Sequence, residues 1–279
     1  AEYYALCGAF MSSRWISRTI DTTQRNMHVK RQLGDVRRQL QMALTEVWLA
    51  DLQKNIHISS LDDIQPATAL AVGDINHPWN QIFQLDGDPL KRKWLSMLEM
   101  YQMQDDQAKA YNDANYTLVT DFDGMPADDW HLDGHGIEQI IGSGDFTLHQ
   151  GDQFIKSLML SGIATSRLSA RLNGTLRSPL TRELPHDFLH VLVAGGSQSA
   201  QRTVIDNAFL CEKQAYYAHD RYQWKTLNLH KGQQDRKTYI EFATKTSNPN
   251  FPPRRGLGPT LTREMETSAV SWFSINKIY

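Results

Sequence analysis

The stretch DFLHVLVAGGSQSAQRTVIDNAF, residues 187–209, decides the fold, because it reads two ways. As a helix it would join Glu183, His186 and His190 in an E-x-x-H-x-x-x-H pattern, and residues three and four apart share one helical face. As strands it is two β-like runs, FLHVLVAGG and RTVIDNAF, with glycine and polar residues between them. The second reading agrees with what surrounds it. YTLVTDF, DFTLHQGDQFI, TYIEFAT and AVSWFSI are likewise short, rich in β-branched and aromatic residues, and punctuated by glycine or polar turns. Residues 116–279 are therefore expected to form a mainly antiparallel β region, a sandwich or jelly-roll-like layer system.

Upstream the period changes. Val29, Leu33, Val36, Leu40, Ala43, Val47 and Ala50 recur at three and four residues, which places them on one stripe of a helix. Asp21, Thr22 and Thr23 are candidate caps for it. A second helix is expected from Asp88 and Pro89, where a capping carboxylate precedes a proline that needs no N–H partner, with Leu90, Trp94, Met97, Leu98 and Tyr101 on its buried face. Residues 1–115 thus form a mainly helical region, and the class is α+β. The proline- and glycine-rich stretch 246–260 reads as a loop or arm.

The 279 residues carry a net charge of −2, which disfavours a general polyanion binder. That average conceals opposed blocks. Ten acidic side chains stand against one lysine between Asp105 and Asp145, followed by five basic residues and no acid from Gln153 to Arg182. Such blocks are expected to face each other within the fold or between copies. Arg167, Arg171, Arg177 and Arg182 lack the interleaved aromatics that stack bases, so nucleic acid is not an expected partner. Two cysteines, Cys7 and Cys211, are too few for a disulfide framework, and a reduced, cytoplasmic setting is the default expectation. No apolar run of about 18 residues is present, so no membrane partner is expected.

The chemistry-bearing residues lie in DDWHLDGHGIEQ, residues 128–139, and in the stretch quoted first. His131 and Asp133 are two apart, and on a strand they share a face. His190, on another strand, could complete a two-histidine, one-carboxylate triad of the kind that holds Fe(II) with vacant positions. Arg202, followed by Thr203, could grip a carboxylate through two parallel hydrogen bonds. In this order the residues resemble the H-x-D…H…R arrangement of Fe(II)/2-oxoglutarate-dependent dioxygenases over residues 130–204. The resemblance implies a double-stranded β-helix, with His131, Asp133 and His190 binding iron and Arg202 with Thr203 holding 2-oxoglutarate for oxidation of an unknown substrate.

A rival reading belongs to a different class. The opposed charge blocks, the proline-rich arm and the aromatic content also fit a non-enzymatic structural subunit of a larger assembly, of capsid, tail or secretion-machine type, in which charge-complementary interfaces join copies into an oligomer.

Overall fold

Residues 188–196 and 200–205 form strands, as the β reading expects. The computed structural model describes residues 2–12, 23–55, 77–82, 85–122, 129–140, 142, 145–148, 155–180, 186–206, 213–229, 236–253 and 260–279. The helices in chain order are α1 (Glu2–Ser12), α2 (Thr23–Asn55), α3 (His77–Ile82), α4 (Gly87–Asn115) and α5 (Arg263–Thr267). The first strands are β1 (Thr120–Asp121), β2 (His131–Asp133), β3 (Glu138–Ile140), β4 (Asp145–Leu148), β5 (Ile155–Met159), β6 (Gly162–Ala164) and β7 (Thr175–Arg177). The rest are β8 (Phe188–Gly196), β9 (Ala200–Ile205), β10 (Lys213–Tyr216), β11 (His219–Asn228), β12 (Thr238–Ala243) and β13 (Trp272–Ile278).

The strands pair antiparallel in two main sheets. Sheet I runs β11-β8-β13-β6-β3 with β1 also on β13, sheet II runs β10-β9-β12-β7-β2, and β4 pairs separately with β5. The alternation in β8 shows how sheet I is built: Leu189, Val191 and Val193 are buried, while Phe188, His190 and Leu192 turn to the other face and are less covered. From sheet II, Leu176, Ile240 and Phe242 meet those side chains in one core, joined by Phe273, Ile275 and Ile278 of β13. The rings of Phe242 and Phe273 lie 6.2 Å apart across the two sheets. This is a sandwich, two sheets sharing one apolar layer. Ser197 and Gln198 both adopt positive φ, 52° and 68°, in the sharp turn that carries the chain from β8 in one sheet to β9 in the other.

The chain divides into two compact units, one of Ala1–Asp35 with Leu118–Tyr279 and one of Val36–Thr117. In the second unit α3 and α4 meet through His77, whose Nδ1 lies 2.6 Å from the Tyr101 hydroxyl, and Met97 is buried. α4 starts slightly earlier than its sequence signals indicate. Asp86 is the N-cap, its carboxylate accepting from the Gly87 N–H, while Asp88 and Pro89 lie within the first turn, where an acidic side chain and a missing donor are both tolerated. Thr23 opens α2; Asp21 and Thr22 lie outside the described residues.

Candidate binding surface

Sheet II carries a polar row on the face turned away from the core. Cross-strand register aligns Gln214, Arg202, Glu241, Arg177 and His131 on β10, β9, β12, β7 and β2. Glu241 is fully buried and takes both guanidinium groups, that of Arg202 on one carboxylate oxygen and that of Arg177 on the other. Arg202 also donates to Asn248 Oδ1 at 2.8 Å, and Asn248 passes the network on to Gln214. Burial pulls the Arg177 pKa down, opposed by nearby Asp133. Two cations sharing one buried carboxylate hold strands in register, and Arg202, fully buried against Glu241, is not open to a small molecule.

That arrangement corrects the iron and 2-oxoglutarate reading. Leu132 packs on the core, so its neighbours His131 and Asp133 face outward from sheet II. Leu189 and Val191 belong to the same core, so His190 faces outward from sheet I. The apolar layer lies between these faces, and packed sheets stand about 10 Å apart. Metal bonds of about 2 Å cannot join ligands on opposite outer faces. No group of three histidine, cysteine, aspartate or glutamate side chains suited to a metal occurs among the described residues. Arg202 is fully buried against Glu241, and Thr203 turns to the other side of β9, opposite Ile240, so the two do not act on one co-substrate. Nothing in this arrangement supports an oxygenase.

The helical histidine pattern fails as well. Residues 186 and 187 form a bend and His190 lies within β8, while Glu183 lies outside the described residues. The opposed charge blocks do meet inside the fold. Arg167, from the basic block, bonds Asp145 at 2.9 Å and Glu138 at 3.2 Å, both from the acidic block.

His190 belongs to a different constellation, on the outer face of sheet I. Direct cross-strand pairs set Phe188 beside Asn228, His190 beside Thr226 and Leu192 beside Trp224. Tyr279 lies on the other side of β8, exchanging backbone hydrogen bonds with His190. The Trp224 and Tyr279 rings stand 5.7 Å apart at a 47° tilt. Trp224 is 47% exposed and Phe188 50%. Polar groups lie among the rings: His190 Nδ1 is 3.1 Å from Thr226 Oγ1, and Lys277 pairs with Asp121 at 3.0 Å. Three adjacent strands thus present aromatic faces and hydrogen-bonding groups together on a rigid support. Sequence reasoning passed over Trp224 and Tyr279. The alternation Tyr222, Trp224, Thr226, Asn228 was the available signal, since it sends every second side chain of β11 to one face.

No protein-family model matches this sequence, and no curated protein matches it. Among solved structures, the carbohydrate-binding module TmCBM61 in complex with β-1,4-galactotriose aligns at 12% identity and TM-score 0.26, covering 54% of this chain and 86% of that one. The K1 cleaved adhesin domain of Lys-gingipain from Porphyromonas gingivalis W83 aligns at 12% identity and TM-score 0.28, covering 57% and 94%. The CBM51-2 and INT domains of Clostridium perfringens ZmpB align at 7% identity and TM-score 0.25, covering 59% and 30%. Similarity at this level identifies neither a family nor a ligand.

Proposed function

We propose that this chain is a non-enzymatic recognition module whose sandwich binds a saccharide on the outer face of sheet I. The observation that carries the reading is the exposed Trp224 stacked near the half-buried Tyr279 and set among His190, Thr226, Asn228 and Lys277. A sugar ring has an apolar C–H face and a rim of hydroxyls. An exposed indole covers the first at little entropic cost, and neighbouring imidazole, hydroxyl, amide and ammonium groups satisfy the second. In sheet II, Arg177, Arg202 and Glu241 neutralise one another, so that buried row serves the fold and not this surface.

The test is calorimetric titration of the chain with a panel of soluble hexose oligosaccharides, repeated with Trp224→Ala. Saturable binding to the parent that is lost in the variant supports the reading. No binding across the panel, or binding indifferent to Trp224→Ala, overturns it.

A further inference from the structure

We propose that α2 pairs with α2 of a second copy of this chain, antiparallel about a two-fold axis. Val29, Leu33, Val36, Leu40, Ala43, Val47 and Ala50 follow one another at alternating intervals of four and three. A straight helix drifts about 20° per heptad against such a repeat, so a spacing kept for three heptads fits a partner helix that supercoils with it. The stripe lies open. Val36 is 61% exposed, Val47 62%, Val29 42% and Leu40 37%. Ala43 and Ala50 are exposed too.

Charge selects both the partner and its direction. The first half of α2 carries Arg25, Lys30, Arg31 and Arg38 at its surface against Asp35, Arg37 being buried, whereas the second half carries Glu46 and Asp51 against Lys54. Parallel copies would stack basic half on basic half; antiparallel copies set each basic half against an acidic one. One antiparallel register satisfies the stripe as well. It sets Val36 against the partner's Val47, Leu40 against the partner's Ala43 and Leu33 against the partner's Ala50, so that each large side chain meets a small or equal one. The two-fold axis repeats every layer, as an isologous contact requires. The same register brings Lys30 beside the partner's Asp51 on the flank. Val29 and Leu33 also border a hollow with His135 and Leu172, which leaves 36–50 as the freest part of the seam.

The experiment uses the full chain with Cys7→Ser and Cys211→Ser. Sedimentation velocity between about 1 and about 100 µM spans the affinities expected of a contact this small. A monomer–dimer equilibrium is expected there, with Val36→Glu plus Val47→Glu monomeric throughout and unchanged in circular dichroism. Orientation is read by oxidation. Val36→Cys mixed with Val47→Cys should give the crossed disulfide, while Val36→Cys alone should give none. A parent that stays monomeric, a dimer that survives the two glutamates, or efficient self-linking by Val36→Cys would each overturn the proposal. None of these outcomes depends on whether sheet I binds a sugar.

Discussion

Glu241 is the anion on which sheet II is centred, with Arg177 and Arg202 on its two oxygens and no exposure to water. Removing its charge leaves two guanidinium groups facing each other beneath the surface. Breaking a buried pair in this way costs about 3–5 kcal/mol, so Glu241→Gln should shift urea unfolding by an amount in that range. A loss below about 1 kcal/mol, the level of an exposed pair, would mean the row does not hold the sheet. Tyr217 makes a second prediction. Its buried hydroxyl donates to Gln201, and burial raises its pKa well above 10.0. Above pH 10 the unfolded chain ionises this phenol and the folded chain does not, so the stability it contributes is present at lower pH and falls as pH rises past 10. Tyr217→Phe should flatten that alkaline decline while lowering stability at neutral pH by about 1–3 kcal/mol, through the lost bond to Gln201. Denaturation curves at neutral and alkaline pH check both signs. At this scale the sequence named reactive residue types well and their partners poorly. Arg202 was legible as a carboxylate binder, but the carboxylate is Glu241, 39 positions away and adjacent only through strand register.

Among the elements, β6 and β13 approach so closely that Gly162 has no room for a side chain. Its φ is 139°, and an added Cβ would lie 2.0 Å from the Ile275 carbonyl oxygen. Gly162→Ala should therefore cost more than about 2 kcal/mol, from strain in an unfavourable backbone region together with displacement of β13. Gly34, inside α2, meets nothing within 4 Å, so Gly34→Ala should instead stabilise by up to about 1 kcal/mol. Thermal melts of the two variants should move in opposite directions; a Gly162→Ala protein as stable as the parent would refute the close approach. The Arg167 bridge joins the opposed charge blocks, but its side chain is 44% exposed, and Arg167→Ala should cost no more than about 1 kcal/mol, less in high salt. Element type was legible because period is local: a run of three-and-four spacing gave α2, and β-branched runs broken by glycine gave β8 and β9. Sheet membership was not. That β8 and β9 belong to different sheets depends on the left-handed pair Ser197 and Gln198, two residues with no strong preference for that conformation.

For the whole molecule, the same fact decided the functional reading. His131, Asp133 and His190 fit a metal by type and order, yet the sandwich core separates the first two from the third, a relation no spacing along the chain reveals. The aromatic face of sheet I was hidden for the converse reason. Phe188, His190, Trp224, Thr226 and Tyr279 are scattered over three strands and become one surface only when β11, β8 and β13 pair. The most direct measurement is an amide-resolved NMR titration of the parent chain with the oligosaccharide that calorimetry identifies. Shifts should concentrate at residues 188–192, 224–228 and 277–279 and spare 131–133, 177, 202 and 241. Shifts concentrated on sheet II around Arg177 and His131 instead, with Trp224 and its neighbours unmoved, would contradict the assignment of recognition to sheet I.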